Sequence, residues 1–146
     1  MQETKVAEFF HPGNSSIQIP LSASPVSAGK PADADSQVDQ LVDLNELLIT
    51  NPTASFFVRV EGNSMMPGIH PGDICIVNKA LDPLPNSIVI AILDGEFLVK
   101  RYIVRDGRPY LMADNPLFKN TIDLEKYANA EIWGVVTWVI HALPGR

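Results

Sequence analysis

The sequence contains a single cysteine, Cys75, among its 146 residues. One thiol cannot form a disulfide framework, and this composition fits a reducing compartment. The apolar neighbours Ile74 and Ile76 indicate that Cys75 is a small buried side chain in a strand. We therefore expect a cytoplasmic protein.

Metal ligands and long apolar runs are also scarce. The three histidines, His11, His70 and His141, lie far apart in the sequence, and none has a partner at the spacing of metal ligands. No run of apolar residues approaches the length of a membrane span. We expect no metal, no other cofactor and no membrane association.

Positive charge is limited, because 11 lysine and arginine residues face 17 aspartate and glutamate residues, for a net charge of −6. This balance argues against direct, non-specific binding to nucleic acid. The one basic cluster, formed by Lys100, Arg101, Arg105 and Arg108, is too small to change that conclusion. The apolar fraction of 46% is enough for a core, while twelve prolines argue against a helical bundle.

Strand-like patterns dominate the chain after residue 55. The predicted strands cover residues 56–60, 74–77, 87–93, 96–104, 109–113 and 131–140. Asp94-Gly95 is a strong signal for a tight hairpin, and Asp106-Gly107 indicates a second turn. Because the strands follow one another closely, we predict a mainly β domain of coiled antiparallel sheets or a partly open barrel. The last strand is apolar on both faces, so it is either an edge used for dimerisation or a central strand.

The first 50 residues are less regular. Residues 17–21 alternate like a short strand, and residues 22–29 are small and flexible in composition. Residues 31–40 are rich in alanine, aspartate and glutamine and are typical of a linker. Asp43 and Glu46 form a capping box, which predicts one short helix ending before Pro52. We therefore expect a flexible N-terminal arm and an acidic linker ahead of the β domain.

The segment Glu-Gly-Asn-Ser-Met-Met-Pro-Gly at residues 61–68 directly follows a predicted strand. Gly62 interrupts the strand, so that Ser64 lies on a turn at its end, a favourable position for a reacting hydroxyl. The second glycine of a hydrolase nucleophile elbow is missing, since Met66 occupies its place. A structural turn is the alternative interpretation of this segment.

A serine nucleophile requires an adjacent base, and Lys100 is the candidate. No histidine is positioned to indicate a Ser-His-Asp triad, which leaves a Ser-Lys dyad. Lys100 lies in an apolar strand pattern, and burial favours the neutral amine that can accept a proton. Neighbouring Arg101 must point to the opposite face. The alternative is a solvent-exposed Lys100 on a hairpin.

These motifs together resemble the self-cleaving Ser-Lys peptidase family that includes the LexA repressor and UmuD proteins. The matching segments are residues 62–67, 71–73 and 99–101, with residues 26–29 similar to the scissile segment. Residues 42–49 and 94–97 are especially similar to the UmuD branch. The resemblance runs from about residue 17 to the end of the sequence and implies the fold of the LexA C-terminal domain.

The resemblance implies a role for each site residue. Ser64 would be the nucleophile and Lys100 the general base. The backbone amides of Asn63 and Ser64 would form the oxyanion hole. The bond that is cut would join Ala28 to Gly29.

The predicted cut divides the chain into three parts. Residues 1–28 would be the arm removed by cleavage, residues 29–42 a flexible acidic linker, and residues 43–146 the peptidase-like domain. Only 28 residues precede the cut, too few for a helix-turn-helix DNA-binding domain, and this favours the UmuD branch.

The UmuD branch implies an SOS-mutagenesis protein that forms a homodimer. Its cleavage would be stimulated by RecA filaments on single-stranded DNA. Its truncated form would join a UmuC-like, Y-family polymerase subunit. Three alternatives stay open: a LexA-like transcriptional regulator without its own DNA-binding domain, a signal-peptidase-like processing enzyme, which would need a membrane anchor, and a non-enzymatic regulator.

Overall fold

The computed structural model describes residues 2–13, 18–22 and 38–144. Its one helix within these ranges, α1, spans Leu44–Leu48. The strands are β1 Lys5–Phe10, β2 Gln18–Ser22, β3 Val38–Asp43, β4 Ser55–Glu61, β5 Ile74–Asn78, β6 Ile88–Leu93, β7 Glu96–Arg105, β8 Arg108–Met112, β9 Thr121–Asp123 and β10 Ala130–Ile140.

The chain divides into two compact units. The smaller unit, Gly13–Thr50, contains the antiparallel pair β2–β3 and the helix. The Asp43 carboxylate accepts a hydrogen bond from the Asn45 amide at 2.9 Å, so the predicted acidic cap of α1 is confirmed. Residues 38–42, which composition assigned to the linker, belong to β3.

The larger unit, Met1–Pro12 with Asn51–Arg146, is built on a barrel. Six antiparallel strands close it in the order β1–β4–β5–β10–β6–β7, and β7 returns to β1. The closing pair is Lys5 with Leu98, and the Val99 amide donates to the Thr4 carbonyl at 2.8 Å. β8 pairs with the second half of β7, and β9 pairs with β8. The predicted mainly β, LexA-type fold is confirmed.

Two apolar clusters lie on opposite faces of β6 and β7, as the alternation of side chains along a strand requires. The first cluster consists of Val58, Val60, Met65, Ile69, Cys75, Val77, Ile90 and Val99. The second consists of Val89, Ala91, Leu93, Leu98, Leu111 and Val135. The turn after β4 therefore contributes two residues, Met65 and Ile69, to the first cluster, and this packing fixes the turn on the barrel.

The strands predicted after residue 55 correspond to β4, β5, β6, β7, β8 and β10, with ends shifted by one residue at most. The Asp94-Gly95 turn is confirmed, with φ of 50° and 82° at its two residues. β10 pairs with β5 on one side and β6 on the other, so it is the central strand of the two alternatives and not an edge. β1 and β9 were not predicted. β1 is the strand that closes the barrel.

Candidate active site

Ser64 lies on the turn that follows β4, three residues after the strand ends. Gly62 has a φ of +90°, a conformation that favours glycine, and it redirects the chain out of the strand. The Asn115 side-chain amide donates to the Asn63 carbonyl at 3.0 Å, and the Asn115 backbone amide donates to the Ser64 carbonyl at 2.9 Å. The packing of Met65 and Ile69 in the first cluster and the two hydrogen bonds from Asn115 hold the Ser64 turn in one position. Ser64 is fully buried.

Lys100 lies in the middle of β7 and is only 1% exposed, so the prediction of a buried lysine is confirmed. Its ammonium donates to both carboxylate oxygens of Glu3, at 2.8 and 2.7 Å. Arg101 points to the other face of the strand, where its guanidinium binds both oxygens of Asp114 at 3.0 and 2.6 Å. Glu3 is therefore the ionic partner of the buried Lys100 side chain.

The residues before β1 connect the predicted catalytic groups. The Thr4 amide donates to Ser64 Oγ at 2.7 Å, and the Asn63 amide, a predicted oxyanion donor, donates to the Gln2 carbonyl at 3.0 Å. With the Glu3–Lys100 pair, three consecutive residues contact three predicted site residues. In the described part of the chain, no hydrogen bond joins Ser64 Oγ to Lys100 Nζ.

A supporting loop at residues 114–116 lies between β8 and β9, beside the Ser64 turn. Arg101 anchors it through Asp114, and its Nη1 also donates to the Asn86 carbonyl at 2.7 Å. The hydrogen bonds that Arg101 donates to the Asp114 carboxylate raise the pKa of the guanidinium, which keeps this anchor charged. Because Asn115 holds the Ser64 turn, Arg101 and Asp114 position the serine indirectly. The only sequence signal was the arginine next to Lys100.

The motif at residues 71–73 has a structural role beside the site. The Gly72 amide donates to the Val60 carbonyl at 2.7 Å, and the Val60 amide donates to the Asp73 carbonyl at 3.0 Å. The buried Asp73 carboxylate accepts from the His70 amide at 2.8 Å and lies 2.6 Å from Nδ1 of His141. Burial, and secondarily the charge of Asp73, raise the pKa of Cys75 to about 12. The hydrogen bonds of Gly72 and Asp73 attach the loop that carries Ser64 to the barrel.

The predicted scissile residues Ala28 and Gly29 lie outside the described residues. Within residues 2–13, 18–22 and 38–144, no three histidine, cysteine or acidic side chains form a group that could hold a metal ion. The same ranges contain no helix with the length and apolar character needed to cross a membrane.

Residues 20–137 match the family model described as Peptidase S24-like. The chain belongs to the Peptidase S24-like family. This membership supports a peptidase of the serine type and is consistent with a nucleophile at the Ser64 turn.

Several curated proteins are similar in sequence to this chain. Protein ImpA of Salmonella typhimurium is 42% identical over 132 residues, which cover 88% of each chain. Protein MucA of Escherichia coli is 40% identical over 138 residues, 91% of this chain and 92% of the relative. The LexA repressor of Verrucomicrobium spinosum is 33% identical over 134 residues, 89% of this chain and 63% of the repressor.

Together with the family match, these relatives confirm the predicted resemblance to UmuD proteins, since ImpA and MucA are UmuD homologues. They also support an association with SOS mutagenesis.

Proposed function

We propose that the protein is a serine peptidase that cuts its own chain between Ala28 and Gly29. The observation that carries this proposal is the extended segment at residues 2–4, which contacts Asn63, Ser64 and Lys100 with successive residues. A cleft that binds one extended segment in this way is suited to bind a second, scissile segment. The family match to Peptidase S24-like proteins supports the same chemistry.

The reaction follows the general scheme of a serine nucleophile with a lysine base. Neutral Lys100 takes the proton of Ser64 Oγ as the oxygen attacks the carbonyl carbon of Ala28. The amides of Asn63 and Ser64 stabilise the negative oxygen of the tetrahedral intermediate. Lys100 then gives its proton to the nitrogen of Gly29, and the bond between Ala28 and Gly29 breaks. Water, deprotonated by Lys100, hydrolyses the ester and returns Ser64 to its hydroxyl form.

The proposed biological role is in SOS mutagenesis in the cytoplasm. A RecA filament on single-stranded DNA stimulates the cleavage, and the truncated protein acts as a homodimer with a UmuC-like, Y-family polymerase subunit. The homologues ImpA and MucA support the association with SOS mutagenesis, and the partners are part of the proposal. Trp138 and Ile140 of β10 are 45% and 43% exposed and offer an apolar surface for the dimer.

Cleavage acts as a switch because it separates β1 from the rest of the barrel sequence. The centroid of the Phe9 ring lies 5.0 Å from that of Phe97 and 5.3 Å from that of Trp133, and both pairs have edge-to-face geometry. Once residues 1–28 are cut off, β1 is held only by non-covalent contacts. Its departure exposes these aromatic rings together with the edges of β4 and β7, which are suited to bind a partner.

The test is the intact mass of the purified protein during incubation at alkaline pH, with and without RecA filaments. We expect two fragments, and N-terminal sequencing of the larger one should begin Gly29-Lys30-Pro31. Ser64→Ala is the matched control and should stay intact. A product with a different first residue, or fragments from Ser64→Ala, would contradict the proposed site.

A further inference from the structure

The segment Gln2-Glu3-Thr4 fits the catalytic cleft closely. Thr4 is fully buried, its carbonyl accepts from the Val99 amide at 2.8 Å, and its hydroxyl accepts from the Met65 amide at 3.1 Å. The Gln2 amide donates to the Asn63 side-chain oxygen at 3.1 Å. The segment is therefore bound by backbone and side-chain bonds on both sides, as a peptide is bound at a sheet edge.

Gly62 makes room for this segment. A Cβ atom at Gly62 would lie 2.1 Å from the Glu3 carbonyl oxygen, so no other residue would allow the backbone to approach so closely. The positive φ of Gly62 permits the turn to Ser64, and the missing side chain permits the bound segment. The backbone of the cleft at Gly62 therefore lies directly against the backbone of the bound segment at Glu3.

The Glu3 side chain gives the segment chemical specificity. Its two carboxylate oxygens face the Lys100 ammonium, whose side chain is 2% exposed, whereas the Glu3 side chain is 36% exposed. A buried ammonium requires a partner, and an acidic side chain at this position supplies one. The same contact directs the Lys100 ammonium to Glu3, while the Ser64 hydroxyl is bonded to the Thr4 amide.

From this geometry we infer that residues 2–4 are an autoinhibitory ligand of the Ser64–Lys100 site. The segment occupies the Asn63 amide, the Ser64 hydroxyl and the Lys100 ammonium together, so the scissile segment enters only after it leaves. The inference rests on the proposed peptidase function and adds its regulation. The ligand class that the site selects is an extended peptide with a carboxylate facing Lys100.

The first test compares two charge-neutralising variants of the same N-terminal segment. Glu3→Gln removes the carboxylate at Lys100, and Glu8→Gln removes a carboxylate that lies 3.7 Å from Arg59 on the surface. We expect Glu3→Gln to raise the unstimulated rate of cleavage by about tenfold or more. The reason is that hydrogen bonds between charged groups are stronger than the neutral hydrogen bonds that hold the rest of residues 2–4. Glu8→Gln should leave the rate within about twofold, since exposed ion pairs contribute little. A protein lacking residues 2–4 should be at least as fast as Glu3→Gln, and circular dichroism checks that each variant is folded.

A second measurement reads the inhibitory contact without any cleavage. Brief treatment with acetic anhydride, followed by peptide mapping, gives the acetylation rate of Lys100 relative to exposed Lys119. We expect slow acetylation of Lys100 in the parent protein and an increase of about tenfold or more in Glu3→Gln, because only an uncovered, neutral amine reacts. The acetylation rate of Lys119 should stay constant.

The two readouts separate the failure of the inference from the failure of the proposed function. Equal cleavage and equal acetylation in the parent and Glu3→Gln, or slower cleavage in Glu3→Gln, would overturn the inhibitory role while leaving the peptidase intact. Faster acetylation of Lys100 in Glu3→Gln, without cleavage in any variant, would support the contact between Glu3 and Lys100. The same result would reject the proposed peptidase function. No difference in acetylation and no cleavage would reject both.

Discussion

Replacement of Lys100 by methionine separates its proposed catalytic role from its contribution to stability. Methionine fills much of the volume of the lysine stem but carries no amine. If Lys100 is the general base, Lys100→Met should lower the cleavage rate by at least about 100-fold, the lower end of what such a base contributes. The fold should persist, because the substitution introduces no buried charge.

The structure also gives the expected stability. Replacement of a buried ion pair by apolar groups is often neutral or stabilising by about 1–4 kcal/mol. Only one partner is replaced here, but the Glu3 side chain is 36% exposed, so its carboxylate regains water when Lys100 is removed. We therefore expect the free energy of unfolding of Lys100→Met to lie within about 1 kcal/mol of the parent value.

The assay combines intact-mass kinetics with urea unfolding followed by tryptophan fluorescence. Lys100→Arg is the control that keeps the charge, and it should also fail to cleave because a guanidinium does not release its proton. Cleavage at the parental rate in Lys100→Met would show that another group is the base. A decrease of more than about 3 kcal/mol in the free energy of unfolding would show that the Lys100 ammonium is needed for folding. That result would contradict the expectation that the exposed Glu3 carboxylate regains water.

The remaining predictions concern Cys75 and the cleavage switch. Burial raises the pKa of Cys75 from 9.0 to about 12, so the buried thiol stabilises the fold fully below pH 9, and this stabilisation is lost as the pH rises towards 12. The urea midpoint of the parent protein should therefore fall between pH 9 and 12. It should fall less in Cys75→Ala. At pH 8 iodoacetamide should modify Cys75 only after unfolding, and rapid modification of the folded protein would contradict its burial. A protein of residues 29–146 should retain a Y-family polymerase subunit in a pull-down better than full-length Ser64→Ala does. Equal lesion bypass by the two proteins in cells would show that cleavage is not the activating step.

Much of the barrel could be predicted because its strands carry local signals. Alternating apolar residues mark β4 to β8 and β10, and aspartate-glycine pairs mark the turns, where Asp106 and Gly107 have φ of 52° and 74°. The burial of Lys100 could be predicted as well, because its strand is apolar on both sides of it. These features depend on neighbours in the sequence, which a pattern records.

β1 could not be predicted in the same way. Its pairing with β4 shifts register between Val6 and Glu8, so the apolar residues change phase within a six-residue strand. Such a bulge breaks the period of two that identifies a strand. Its position as the closing strand depends on partners at β4 and β7, far along the chain.

The inhibitory contact was hidden from sequence for a related reason. Glu3 and Lys100 lie 97 residues apart, and no local pattern links them. A glutamate near the start of a chain is ordinarily a solvated residue. Only the closure of the barrel by β1 brings residues 2–4 to the turn of Ser64, so the site and the fold had to be known together.

The bonds that hold residues 2–4 determine how often the site is free. Five neutral hydrogen bonds and one charged pair join this segment to the cleft. At roughly 1 kcal/mol per neutral bond and roughly 2 kcal/mol for the charged pair, they contribute about 7 kcal/mol. Release of three residues recovers about 1.5 kcal/mol of backbone entropy each, which leaves about 2–3 kcal/mol in favour of the bound state.

That difference corresponds to a free site in about 1% of molecules. Complete release of residues 2–4 should therefore accelerate the proposed cleavage by at most about 100-fold, because a population cannot exceed unity. Any stimulation by a RecA filament beyond this limit must act on a different step, for which we propose the docking of residues 26–29 at Ser64. The two steps are separable, since Glu3→Gln affects only the first. A filament that accelerates the Glu3→Gln protein as strongly as the parent protein must therefore stabilise the docked scissile segment itself.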